Sequence, residues 1–69
     1  MQTYDNSYIG RPCVLYTLDG EKPARVTGVV PGRLAYIITA ADGSLSMAVL
    51  LSVVLGKYQD DTCPTFYAC

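Results

Sequence analysis

Three turn dipeptides punctuate the middle of this chain: Asp19-Gly20, Pro31-Gly32 and Asp42-Gly43, eleven or twelve residues apart. Asp-Gly supplies the positive φ angles of a tight type I′ turn, whose twist matches that of paired strands. Pro-Gly fixes φ at the first central position and frees it at the second, which predicts a type II turn. The runs between the turns are apolar and β-branched, so the spacing predicts an antiparallel meander. Strands are expected over 12–18, 24–30, 33–41 and 44–49. In the second, Val26, Gly28 and Val30 alternate with Arg25, Thr27 and Val29. In the third, Leu34, Tyr36 and Ile38 share one face and Ala35 and Ile37 the other. Both faces are apolar there, as in a central strand covered twice.

Segment 46–56 reads two ways. Ser46 as cap and Gly56 as stop define a helix with Met47, Leu50, Leu51, Val54 and Leu55 on one stripe. The β-branched Val49, Val53 and Val54 favour a strand to 49, a 3₁₀ turn at 50–52 and a short last strand at 53–56. The expected class is all-β: a single small SH3-like barrel or strongly bent antiparallel meander of four to five strands. A 3₁₀ turn or short helix near 46–56 is the open alternative. Val14, Tyr16, Val26, Val30, Ile37, Leu50 and Val53 form the expected core. Residues 1–8 read as a polar arm, 9–57 as the barrel and 58–69 as a tail placed against a partner subunit. From Ile9 to Lys57 the order of strands and turns resembles an SH3-like small β-barrel. The likeness is one of pattern: the aromatic and acidic residues by which SH3 domains hold proline-rich peptides have no counterparts, and the chain has no Trp.

A chain of 69 residues makes one small domain that buries only about 60 % of its unfolded surface. Yet 51 % of the residues are hydrophobic and 16 % charged, against roughly 25 % charged in an average domain. One closed core cannot hide that much apolar surface. Leu34, Ile38, Leu45, Met47, Val49 and Leu51 are left for a second contact, joined by Phe66 and Tyr67 of the tail. A homodimer or higher oligomer is therefore expected. Of the six tyrosines, Tyr16 and Tyr36 lie in strands and read as core. Tyr4, Tyr8, Tyr58 and Tyr67 flank the barrel and suit contacts with another chain.

The composition also narrows the chemistry. With no histidine, Ser-His-Asp and Cys-His arrangements are impossible. Asp60 and Asp61 are adjacent and project to different sides of an extended chain, as in a solvated tail. No glycine-rich loop follows a strand. Cys13, Cys63 and Cys69 contain no Cys-x-x-Cys pair and leave a zinc site incomplete. Cys13 reads as a small buried hydrophobe, and a Cys63–Cys69 disulfide is open to the chain in an oxidising medium. Neither an enzyme nor a cofactor is expected. The N-terminus lacks a basic start and an apolar stretch, and the longest apolar run, 45–55, is shorter than the ~20 residues of a spanning helix. The expectation is a cytoplasmic protein without a membrane span.

What remains is binding. Arg11, Arg25 and Arg33, with Tyr8 and Tyr58, are the candidate contacts. A non-catalytic binding protein acting on a protein partner is the favoured reading. A free-standing chain of this size resembles small phage or mobile-element proteins, which points to an inhibitor of a host protein. A small anionic ligand such as a nucleotide, held between subunits, is the alternative: arginine forks suit phosphate and tyrosine rings suit bases. Nucleic acid comes third, because six acidic residues offset the five basic ones.

Overall fold

The computed structural model describes residues 6–68, and in it the three turns each join antiparallel strands. A 3₁₀ turn (Asn6–Tyr8) leads into β1 (Pro12–Thr17), β2 (Gly20–Val30), β3 (Ala35–Ala40) and β4 (Ser46–Leu50). A helix, α1 (Leu51–Asp60), and a short last strand, β5 (Thr65–Tyr67), complete the chain. The five strands form one sheet in the order β4-β3-β2-β1-β5, with β5 parallel to β1 and all other neighbours antiparallel. The class is mostly β, as expected. The sheet curls into a half-barrel without closing, since β4 and β5 end the order on opposite sides.

The turns differ in detail from expectation. Val30 O accepts from Arg33 N–H at 3.2 Å across Pro31-Gly32, and Gly32 has φ +79°, as a type II turn requires. The Asp-Gly turns are not type I′. Leu34 is the one non-glycine with positive φ among the described residues, so Asp19 and Asp42 lack the geometry that type needs, and Gly20 and Gly43 alone are left-handed. Asp42 instead folds back on its own turn, accepting from Ser44 N–H at 2.9 Å and Ser44 Oγ–H at 2.6 Å. Those bonds hold its carboxyl below the usual carboxylate range. Arg33 closes the second turn and Leu34 takes φ +50°, so β3 begins at Ala35 rather than at 33.

Register decides which residues are core. Cys13 faces Ala24, Ala24 faces Ala40, Val26 faces Ile38 and Tyr36 faces Val49, and all are buried. Leu15, Val26, Tyr36, Ile38, Leu51 and Val54 are fully enclosed, the aliphatic ones each contributing roughly 1.5–3 kcal/mol. Of the seven residues expected to form the core, Val26 alone is fully buried, and Tyr36, also read as core, is fully buried as well. Tyr16, Leu50 and Val53 are exposed, and Val14, Val30 and Ile37 are half-buried on the outer face. In β1 Cys13 and Leu15 are buried in place of Val14 and Tyr16, a one-residue difference that moves the whole strand's side chains to the other face. At Thr27 the register shifts between Val26 and Gly28, a bulge that bends the long β2 and starts the curl. Thr27 Oγ1 is tied there to Thr39 Oγ1 at 2.9 Å.

The last strand expected at 53–56 is a helix. Leu51, Val54 and Tyr58 are its buried positions, three and four residues apart on one stripe. Burial of that stripe on the inner sheet face outweighs the β-preference of Val53 and Val54 and the cost of Gly56 inside the helix, which is about 1 kcal/mol. Neither expected boundary holds: Ser46 lies in β4, and the helix passes Gly56 to end at Asp60. The described part of the segment 58–69 belongs to the domain itself. Tyr58 is buried in α1, and Phe66, opposite Leu15 in the parallel register, is 2 % exposed.

Candidate interaction surface

The structure gathers three of the five predicted contact residues. The Arg11 guanidinium lies 4.3 Å from the Tyr8 ring centre and 5.6 Å from that of Tyr58, a cation–π arrangement. Behind it Tyr8 packs on Tyr36 and Tyr58 at 6.0 and 5.5 Å, and Tyr58 on Phe66 at 6.5 Å. Tyr58 Oη–H donates to Pro12 O at 2.8 Å, pinning α1 to β1. Burial, with the neighbouring Cys13, pushes the Tyr58 hydroxyl above its ordinary pKa, and burial pushes the Cys13 thiol up to about 11. These values fit a structural joint with an arginine on its rim. Tyr58 is thus a core residue, and its ring is open to a ligand only through Arg11.

Arg25 and Arg33 do not join Arg11. Arg25 sits on the outer face opposite Thr39, and Arg33 lies in the β2–β3 turn. Lys22 pairs with Asp42 at 3.7 Å and Lys57 Nζ donates to Thr65 O at 3.0 Å. The basic residues are therefore dispersed, with no stripe of the kind a nucleic-acid strand follows. Among the described residues no group of three His, Cys, Asp or Glu gathers as a metal site. No helix there is long and apolar enough to cross a membrane. Cys63 is exposed; its pairing with Cys69, and the contact expected of Tyr4, lie outside the described residues.

The predicted second-contact residues also divide. Ile38, Val49, Leu51 and Phe66 are core and have no surface to offer. Leu45 and Met47 are half-buried at the core margin. Leu34 and Tyr67 are exposed, at 46 % and 64 %. Tyr67 packs on Tyr16 of β1 at 5.6 Å on the outer face. Leu34 belongs to an apolar corner with Leu50 (61 %) and Val53 (41 %) that sequence reasoning had placed in the core or in β3. Leu51 N–H donates to Leu34 O at 2.7 Å and brings that corner together.

Beside the corner runs a feature that side-chain patterning does not reveal. Ala40 N–H donates to Leu45 O at 2.8 Å, and Leu51 N–H to Leu34 O. In the alternating antiparallel ladder, residues 45, 47, 49 and 51 therefore face β3. Ser46 and Ala48 direct both backbone groups, and Leu50 its N–H, to the outside of the sheet, while the Leu50 carbonyl, at the N-cap of α1, begins the helix; all three residues are exposed. The segment 43–56 carries no charge and no proline, the two devices that commonly guard such an edge. Known family patterns, characterised proteins and solved structures offer no match to this chain.

Proposed function

We propose that this protein is a non-catalytic binding module that takes a polypeptide strand onto the open β4 edge. The observation that carries the reading is the row Ser46, Ala48 and Leu50, whose outward backbone groups line an uncharged strand ending in the Leu34–Leu50–Val53 corner. Strand addition draws affinity from main-chain bonds and specificity from alternate side chains. Occupying another protein's strand edge is also a direct way to inhibit it, which is how an inhibitor of a host component would act here.

Ala48→Pro tests it. The substitution removes an outward N–H at an edge position, where proline is tolerated, so the fold should persist by circular dichroism. Extended peptides selected from a displayed library on the wild type should lose binding to the variant. Peptides that bind A48P equally well would remove β4 from consideration. A small anion such as a nucleotide is the second reading, favoured by the Arg11 guanidinium held over Tyr8; it predicts a thermal shift with nucleotides that Arg11→Ala abolishes.

A further inference from the structure

Strand addition at β4 needs a strand that matches it, and the chain carries one in β4 itself. Resting on the strand-addition reading, we infer that the occupant is the β4 of a second copy, antiparallel about a two-fold axis at Ala48. In that register Ser46 meets Leu50 of the second copy, Met47 meets Val49, and Ala48 meets Ala48. Each Ala48 N–H reaches the other Ala48 C=O, and each Leu50 N–H reaches a Ser46 C=O. That makes about four backbone bonds in the alternating pattern of an antiparallel pair. The residue on the axis is small, and no charge between 43 and 56 opposes its own copy.

The two edges of the sheet set the size of the assembly. β5 has three residues, and Val14 N–H bonding to Pro64 O and Ala68 N–H to Tyr16 O leave only Thr65 and Tyr67 facing outward. The Thr65 carbonyl is already taken by Lys57 Nζ at 3.0 Å. A chain with one open edge makes a closed pair, whereas a chain with two would make a fibre. A stable interface needs roughly 800 Å² from each partner, close to a fifth of the 4398 Å² surface. A five-residue strand alone does not cover that area, so Leu34 and Val53, beside Leu50, belong to the contact as well.

The test uses opposite charges at the axis. Ala48→Lys and Ala48→Glu each place like charges directly across the two-fold and should weaken the dimer at least about tenfold. An equimolar mixture of A48K and A48E should restore dimers, and native mass spectrometry should show the mixed species. Ser46→Lys with Leu50→Glu, opposed in the same register, is the second pair should either Ala48 variant fail to fold by circular dichroism. A wild type that stays monomeric through the micromolar range, or mixtures that form no heterodimer, would overturn self-pairing. Peptide binding sensitive to A48P would then still stand, pointing to a foreign strand as occupant. Ladders longer than two would overturn the closed pair and identify β5 as a second open edge.

Discussion

The two edges of this sheet are built on opposite plans. β5 is short, runs parallel to β1, follows Pro64 and has a lysine from α1 seated on its outward carbonyl. Its inward residue, Phe66, is buried between Leu15 and Tyr58. β4 has five residues, no charge, and side chains that turn Ser46, Ala48 and Leu50 to solvent. Proteins usually guard both edges, because an unpaired strand is a template for aggregation. Guarding one and leaving the other bare would confine the proposed self-pairing to a single place and a single stoichiometry.

The strongest way to break that asymmetry is Phe66→Ala, which unseats β5 from β1. Truncating a buried phenylalanine costs about 3–5 kcal/mol, a large share of the 5–15 kcal/mol that typically holds a small domain together. Urea unfolding should show a loss of that order, and a cost below about 1 kcal/mol would mean that β5 is not anchored by its core residue. Lys57→Met is gentler. It keeps the aliphatic stem beside Phe66 (5.5 Å from Lys57 Nζ) but removes the bond to Thr65 O. Stability should fall by only about 1 kcal/mol, while light scattering should show species larger than those of the wild type; an unchanged size distribution would mean that the lysine seals nothing.

A third effect is one of pH. The Cys13 thiol keeps its proton in the folded protein up to about 11, against an ordinary value of 9.0, and Tyr58 is shifted in the same direction. The unfolded chain gives up these protons first, so their stabilisation is complete below pH 9.0 and is lost as pH rises toward about 11. The melting temperature should fall across that window, and Cys13→Ala should flatten the fall. Because Cys13 and Tyr58 join α1 to β1, the guarded side is the one that alkali loosens.

Punctuation made the meander legible. Gly20, Gly32 and Gly43 sit where the chain reverses, and three glycine-bearing dipeptides are enough to space four strands. Facing was not legible, for a physical reason. Tyr36 and Ile37 are both large and apolar, so alternation in β3 does not say which side meets the core; the bulge at Thr27 then moves the partner register by one. α1 is legible only as the alternative reading of 46–56, because Val53 and Val54 prefer strands locally and only the inner sheet face, absent from any local window, favours a helix. β5 carries no local signal at all. Thr65, Phe66 and Tyr67 become a strand only because β1 offers them an edge about fifty residues upstream. Arg11, Tyr8 and Tyr58, singled out by residue type, lie together. The β4 edge was not legible, because an uncharged, proline-free run such as 43–56 does not say whether its strand lies at the edge of the sheet, which backbone topology decides.

The parallel pairing of Val14 with Thr65 and Tyr16 with Tyr67 ties the chain's beginning to its end, and this fixes an order of events. Hairpins β1–β2, β2–β3 and β3–β4 close over short loops, whereas β5 closes nearly the whole chain and bears the larger loop entropy. The meander therefore assembles first with β1 as bare as β4. If β4 pairs with its own copy as proposed, a molecule whose β5 has not docked is bivalent and can propagate end to end, and one whose β5 has docked is monovalent. The C-terminal strand is thus a chain terminator in the polymer chemist's sense, and the time it takes to arrive sets how dilute a refolding population must be to stay out of fibres.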